Sequence, residues 1–335
     1  MPNKKTRESG LSSGKSGAHS VSSGKSGAHS VSSGKSGKPK VSSGKTRVLP
    51  PRTGVIRDYD NKTVGVKIGL TVVYLICVLI LVISVFPIFW VSMAGFKDLK
   101  EYMSSESILP RAFDFARYIK TWNQLNIIKN YANSLYVIIG SVFSALVFNG
   151  LLAYGLAILK PRGYKVVGSL VMFSILIPAT ISIVPLFMNI QNLNLGGFFT
   201  PLWLAAGANA IFVILFRQFF ESLPSAIIDA GRIDGCTQLQ SFFRIVMPMS
   251  KPICVVVTIF AINGAWSDFL LPYLVLGQGQ WQTVMVRLFV FSTQQTINYD
   301  DLMRSVVFSM IPPIILFFIF QKTLTENVVT AGIKG

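Results

Sequence analysis

The chain has 335 residues, of which 51% are hydrophobic and only 13% are charged, a composition too apolar for an ordinary soluble domain of this length. The formal net charge of +17 would suit a nucleic-acid-binding protein, but 14 of the 31 Lys and Arg residues lie before residue 68, in a segment with three acids. This segment has a single aromatic residue, Tyr59, and no folded module, so nucleic acid is excluded as a partner and a membrane protein is indicated.

Residues 1–63 form a low-complexity Ser/Gly/Lys tail in which the unit SSGKSGAHSV is repeated. Such a composition buries too little apolar surface to offset the entropy of ordering, so the tail is predicted to be disordered. Its GKS and GKT triplets lack the earlier Gly of a phosphate-binding loop, and duplication of the repeat explains His19 and His29 better than a metal site does. The Lys series leaves two interpretations open: attraction to an anionic membrane face, or a solvated tail.

The remainder, residues 64–335, contains six apolar runs of about 20 residues or more, the length that an α-helix needs to cross a hydrocarbon core of about 30 Å. We therefore predict an all-α polytopic membrane protein with six transmembrane helices. The predicted spans are 66–93, 131–159, 166–188, 200–220, 252–275 and 302–322. The three cysteines are odd in number and imply no disulfide framework, and no cofactor or metal is predicted.

Basic residues set the predicted orientation. They are concentrated in the tail, in the turn after the second span and in the loop after the fourth span, whereas the other loops are mixed or uncharged. By the positive-inside rule, both termini are expected to be cytoplasmic and the 94–130 loop external.

Polar residues and prolines interrupt several spans. Proline frees a backbone carbonyl that must find another partner in hydrocarbon, so such helices are expected to face protein or a water-filled cavity. Each polar residue either lines a pathway or bonds one helix to another. These polar residues are Asn149, Asn209, Asn263 and Asp268, and the prolines are Pro87, Pro178, Pro185, Pro272, Pro312 and Pro313.

The loop at 221–250 predicts two short helices joined by a tight turn. Pro224 marks the start of the first helix, which is expected to run to about Asp234, and Gly235 is expected to end it in the left-handed conformation. Thr237 and Gln240 fit a capping box that opens the second helix, and Pro248 is expected to stop it. The small residues and carboxylates at its tip suit a knob that enters a groove of another protein.

This loop resembles the cytoplasmic motif of permease subunits of ABC importers: Glu-Ala-Ala, three residues, Gly, nine residues, Ile, one residue, Leu-Pro. The same spacing without a gap is read here as Asp229, Ala230, Gly231, Gly235, Ile245, Met247 and Pro248. Asp replaces Glu, Gly the second Ala and Met the Leu, so charge and small size are kept.

Other segments resemble the maltose-type branch, whose permeases carry oligosaccharides and glycerol phosphate. Trp266, Ser267, Asp268 and Phe269 are similar to its Trp-Asn-Asp-Phe segment, VVTAGIKG is similar to its C-terminus, and YIKTWNQLNIIKNYANSL is similar to its external pattern of Tyr, Trp and Asn-Ser. The resemblance covers residues 66–335.

The resemblance implies a type I ABC importer permease fold in the cell membrane of a bacterium or archaeon. It implies an importer of a sugar or oligosaccharide, with four kinds of partner: a second permease, two ATP-binding subunits, an extracytoplasmic solute-binding protein and membrane lipid. The chain would not hydrolyse ATP itself. The residues expected to contact the ATPase are Asp229, Ala230, Gly231, Asp234, Gly235, Ile245 and Pro248, with Thr330, Gly332, Lys334 and Gly335 of the C-terminal tail.

Asn263, Trp266 and Asp268 are the candidates for the solute path, because an aromatic face and a carboxylate suit the CH and OH groups of a sugar. These residues could equally be structural. The alternative function is a secondary, ion-coupled transporter, but that class usually shows paired intramembrane charges, and Asp268 is the only acid well inside a predicted span.

Overall fold

The computed structural model describes residues 64–104, 107–277, 279–293 and 299–332, and of residues 179 and 323–332 it describes the backbone only. Within these residues the regular elements are α-helices and three π-helical turns, at Ala145–Asn149, Gly155–Leu159 and Phe242–Val246. In chain order the helices are α1 (Val64–Ala94), α2 (Leu99–Ser104), α3 (Phe115–Gln124), α4 (Ile127–Ser144), α5 (Gly150–Tyr154), α6 (Tyr164–Leu176), α7 (Ala179–Asn192), α8 (Thr200–Gly207), α9 (Ala210–Glu221), α10 (Ser225–Ile233), α11 (Gln238–Ser241), α12 (Met247–Met249), α13 (Lys251–Ser267), α14 (Leu270–Leu276), α15 (Val284–Ser292) and α16 (Tyr299–Gly332). The predicted disorder of residues 1–63 falls outside the described residues and stays a prediction.

Three described helical stretches are long and apolar enough to cross a membrane: Val64–Ala94, Ile127–Leu159 and Tyr299–Lys322. Three bent helix pairs bring the number of spans to as many as six. They are Tyr164–Leu176 with Thr180–Asn192, bent by 111°, Thr200–Gly207 with Ala210–Glu221, bent by 43°, and Gln238–Met249 with Lys251–Ser267, bent by 86°. The predicted all-α membrane fold is confirmed, with three to six spans.

Three of the predicted spans are less regular than the sequence indicated. The third span bends at Ile177 and Pro178, and the fourth breaks at Ala208 and Asn209, where no proline stands. The fifth breaks at Asp268 and Phe269. By contrast, Pro312 and Pro313 lie inside α16 without ending it.

An aromatic core joins the end of the second span to α9 and to the loop that follows it. Phe216, Phe220 and Phe242 are each at most 1% exposed, and Tyr154 and Val246 pack with them. Burying a side chain of this size contributes about 1.5–3 kcal/mol, so this cluster fixes the loop against the bundle.

A buried ionic network ties the start of α16 to α3 and to the end of α1. The Arg304 side chain donates to the hydroxyl of Thr121 at 2.9 Å, to the carbonyl of Gly95 at 3.0 Å, and to the carboxylates of Asp300 at 2.5 Å and Asp301 at 2.9 Å. Arg304 is 3% exposed. Removing one partner from such a network leaves an uncompensated buried charge, so the loss of Arg304 is expected to destabilise the contact between these segments.

The hydroxyl of Tyr118, on α3, donates to the carbonyl of Ser92 at 3.0 Å beside this network. Burial raises the pKa of the Tyr118 phenol, and the nearby Arg304 guanidinium lowers it by less. The phenol therefore stays protonated, and its donated bond persists, throughout the neutral pH range.

Candidate functional site: a helical hairpin between α9 and α13

The turn between α10 and α11 forms as the sequence predicts. Gly235 has φ +80°, and its N–H donates to the carbonyl of Arg232 at 3.1 Å, while the N–H of Cys236 donates to the carbonyl of Gly231 at 3.0 Å. These two bonds form the Schellman motif that ends a helix on a left-handed glycine. The helix α10 thus stops at a defined residue.

The capping box at the start of α11 is also confirmed. The hydroxyl of Thr237 accepts from the N–H of Gln240 at 3.3 Å, and the Gln240 carboxamide accepts from the N–H of Thr237 at 2.9 Å. The predicted stop at Pro248 is confirmed to within one residue. A π-helical turn follows α11, the helical stretch ends at Met249, and the chain bends by 86° before α13.

One face of the hairpin is buried. Gly231 packs on Ile245, and a methyl group at Gly231 would overlap the Ile245 side chain. Ile228 is 7% exposed, and the Tyr154 hydroxyl donates to the Gln238 side chain at 3.3 Å. Gly231 and Ile245, which the motif predicts to contact the ATPase, therefore contact each other and set the angle between the two short helices.

The other residues predicted to contact the ATPase are at the surface of the hairpin. Asp229, Ala230, Asp234, Gly235 and Pro248 are all exposed. The carboxylate of Asp229 accepts from Arg232 at 3.1 Å, an exposed ion pair that contributes little to stability. These residues are available to a partner.

Two apolar residues at the hairpin tip were missed from the sequence. Ile233 is 87% exposed and Leu239 is 61% exposed, and they stand on either side of the Gly235 turn. The signal in the sequence is an apolar residue on each side of the polar turn, Ile233 directly before Asp234 and Gly235, and Leu239 in the first turn of the second short helix. Exposed apolar anchors beside small and acidic residues are typical of a protein docking surface.

The three predicted solute-path residues do not line one cavity. Asn263 and Trp266 line a groove of about 380 Å³ between α13 and α16, and Asp268 lines two cavities elsewhere. Trp266 is 7% exposed, and its indole N–H donates to the carbonyl of Ser309 at 3.2 Å. This contact gives Trp266 a structural role between α13 and α16.

Asn149 bonds helices together. Its amide donates to the carbonyl of Ala206 at 3.0 Å, and its carbonyl accepts from the N–H of Asn209 at 2.9 Å. Asn149 is 1% exposed, and Asn209 caps α9 by accepting from the N–H of Ile211 at 3.0 Å. The two asparagine side chains thus make hydrogen bonds to backbone N–H and C=O groups at the break between α8 and α9.

Of the predicted C-terminal contact residues, Thr330 and Gly332 lie within α16, whereas Lys334 and Gly335 fall outside the described residues. Their contact with an ATPase stays a prediction.

The fold is that of an ABC importer permease. The structure is similar to one chain of the crystal structure of a bacterial ABC transporter involved in the import of the acidic polysaccharide alginate, with a TM-score of 0.69 and 22% sequence identity. The match covers 78% of this chain and 98% of that chain.

The family model described as binding-protein-dependent transport system inner membrane component matches residues 147–329, and the chain belongs to this family. It is 31% identical to the diacetylchitobiose uptake system permease protein of Streptomyces coelicolor, over 74% of this chain and 83% of that protein. It is 30% identical to the arabinooligosaccharides transport system permease protein of Bacillus subtilis, over 80% of this chain and 96% of that protein.

The chain is thus a multi-pass inner-membrane permease component of a binding-protein-dependent ABC importer and is not itself an enzyme, since separate subunits hydrolyse ATP. A solute-binding protein and ATPase subunits are its partners. The alternative of an ion-coupled secondary transporter has no support in these comparisons.

Proposed function

We propose that this chain is a permease subunit of an ATP-driven importer of a sugar or oligosaccharide, and that the hairpin Ser225–Met249 docks into a groove of a separate ATP-binding subunit. The observation that carries this proposal is the apolar tip of the hairpin. Ile233 is 87% exposed and lies next to the Gly235 turn, on a loop whose other face is fixed by an aromatic core. A surface built in this way is rigid on the side of the bundle and open on the side of a partner.

The buried face of the hairpin supports a role as a lever. Gly231 contacts Ile245 directly, and Phe242 is fully buried beside Phe216 of α9. Because packed contacts of this kind do not deform gradually, a shift of the hairpin is passed on to α9 and α13. ATP and the loaded binding protein then act on one equilibrium, each favouring the state that it binds more tightly.

Helix α1 supports a second permease as a partner. None of its most apolar 18-residue stretch is buried, whereas a third of the corresponding stretch of Ile127–Leu159 is buried. In α1 the one buried residue is Ala94, at its end. A helix with an unburied surface on all sides is suited to packing against another membrane subunit, with lipid covering the rest.

The orientation and stoichiometry follow from the proposed docking. The hairpin lies beside Lys160 at the end of the second span, so the basic loops and the hairpin share one side. We place this side, both termini and two ATP-binding subunits in the cytoplasm, with the C-terminal residues toward the ATPases. The solute-binding protein then docks on the opposite side, and the sugar class follows the names of the two relatives.

Substitution of the tip tests the proposal. The complete importer is reconstituted in lipid vesicles with Ile233→Asp. The rate of ATP hydrolysis stimulated by the loaded binding protein is expected to fall at least tenfold, because a carboxylate replaces an apolar anchor. The measurement is the release of phosphate with binding protein that has been loaded with arabinotriose or diacetylchitobiose. Membrane insertion is expected to be unchanged.

Val64→Asp is the matched control, since Val64 is 73% exposed at the first residue of α1, ahead of the first predicted span, and lies far from the hairpin in sequence. It makes the same chemical change and is expected to alter the stimulated hydrolysis less than twofold. A complex with Ile233→Asp whose stimulated hydrolysis stays within twofold of the unsubstituted importer contradicts the docking role.

A further inference from the structure

Three helix breaks lie around one region of the bundle. They fall at Ile177–Pro178 between α6 and α7, at Ala208–Asn209 between α8 and α9, and at Asp268–Phe269 between α13 and α14. Unwound backbone inside a membrane protein is tolerated where it is covered by protein or lines a water-filled cavity. Three breaks in one region therefore indicate that a cavity lies beside them.

Two cavities adjoin these breaks. The larger has a volume of about 740 Å³ and lies against α7, while the smaller, of about 380 Å³, lies against α4 and α13. Asn209, Asp268 and Leu271 belong to the lining of both. The two cavities thus form one cleft, here named the break cleft, on either side of Asn209 and Asp268. The volume of each of the two cavities is within the range of small-molecule binding sites, about 300–1,000 Å³.

The polar groups of the break cleft are suited to hydroxyl groups. Asn209 uses its side-chain oxygen to cap α9, and its amide N–H groups make no hydrogen bond within the described residues, so they can donate to a ligand. Asp268 accepts from the N–H of Leu270 at 3.1 Å and keeps lone pairs that can accept from a ligand. A sugar hydroxyl both donates and accepts, so it satisfies both groups.

The remaining lining adds small hydroxyl side chains to apolar walls. Ser174, Thr180 and Ser182 face the larger cavity together with Ile183 and Leu186. Such a mixture suits the OH and CH groups of a saccharide ring. The groove between α13 and α16, where Asn263 is placed, is lined mainly by apolar and aromatic side chains, and the indole N–H of its Trp266 is already bonded to Ser309.

The charge of the lining indicates the class of solute. Asp268 is the only acid in the lining of either cavity, and neither lining contains Lys or Arg. An acidic saccharide would meet a carboxylate without a compensating base, and repulsion between like charges in a site of low polarity is costly. A neutral saccharide meets no such penalty.

We propose that the break cleft is the part of the solute passage that this chain contributes, and that it binds a neutral saccharide through Asn209 and Asp268. This proposal rests on the proposed importer function. It gives the passage a place distinct from the groove between α13 and α16, and it assigns direct contact with the solute to this chain.

The test uses the complete importer in vesicles, with uptake of labelled arabinotriose or diacetylchitobiose, whichever the unsubstituted importer carries, and of trigalacturonate as the acidic probe. Ser182→Phe fills the break cleft and is expected to lower uptake at least tenfold. Asp268→Asn keeps an oxygen for the N–H of Leu270 and is expected to raise the KM for uptake at least fivefold. Both variants are expected to insert into the membrane and to assemble with the ATP-binding subunits as the unsubstituted chain does.

Val184→Phe is the control, because Val184 is on the same helix, is 61% exposed and does not line the cleft. Its uptake is expected to stay within twofold. Unchanged uptake by Ser182→Phe, or uptake of trigalacturonate as fast as the neutral probe, overturns the cleft proposal alone. A complete importer that neither hydrolyses ATP in response to the loaded binding protein nor takes up either neutral probe overturns the proposed function instead.

Discussion

The hairpin half and the cleft half of the bundle are built in opposite ways. Around the hairpin, aromatic side chains such as Phe216, Phe220 and Phe242 exclude water and join neighbouring helices into a packed block. Around the break cleft, helices stop and restart, and cavities with a few polar side chains on apolar walls separate them. The packed block can therefore transmit a displacement of the hairpin to the helices, whereas the broken helices can accommodate such a displacement.

The largest expected effect concerns the Arg304 network, which shows that rigid contacts are not confined to the hairpin. Arg304→Met removes the cation beside the buried carboxylates of Asp300 and Asp301, and we expect a loss of about 3–5 kcal/mol of folding free energy. Thermal unfolding in detergent measures it.

Arg217→Met makes the same substitution in an exposed ion pair, where the Arg217 side chain lies 2.9 Å from Glu221. A surface pair contributes about 0–1 kcal/mol, so this control is expected to unfold nearly as the unsubstituted protein does. Equal losses for the two variants would contradict the importance given to the buried network.

An intermediate effect is expected where Gly231 meets Ile245. Gly231→Val adds an isopropyl group against that side chain, and it is expected to lower stimulated ATP hydrolysis at least fivefold by changing the angle of the hairpin. Combining it with Ile245→Ala, which frees the space, is expected to restore part of the activity. Gly231→Ala is expected to cost less than twofold, since the Ile245 methyl group can rotate away. No recovery in the double variant would show that Gly231 acts in another way.

Local chemistry made the hairpin predictable. Its turn depends on Gly235 and its second helix on Thr237 and Gln240, all within six residues of one another. The π-helical turn Phe242–Val246 was not predicted, because it depends on the packing of Phe242 and Val246 in the core and not on neighbouring residues.

The cleft and the ionic network could not be predicted because distant residues determine them. The break at Asn209 depends on Asn149, which is 60 residues away, and the bonds of Arg304 reach Thr121 and Gly95 across 183 and 209 residues. Whether a proline breaks its helix could not be predicted for the same reason. Pro178 lies at a break that lines the cleft, whereas Pro312 and Pro313 stay within one continuous helix.

Protection of the hairpin tip tests the central claim most directly. In a chain carrying Ile233→Cys, with Cys77, Cys236 and Cys254 replaced by Ser, the new thiol is labelled with a membrane-impermeant maleimide in inside-out vesicles. We predict at least a tenfold slower reaction when the ATP-binding subunits are assembled than after they have been stripped from the membrane. Equal rates in the two preparations would mean that no ATPase covers the tip, and would contradict the account of the hairpin as the coupling element.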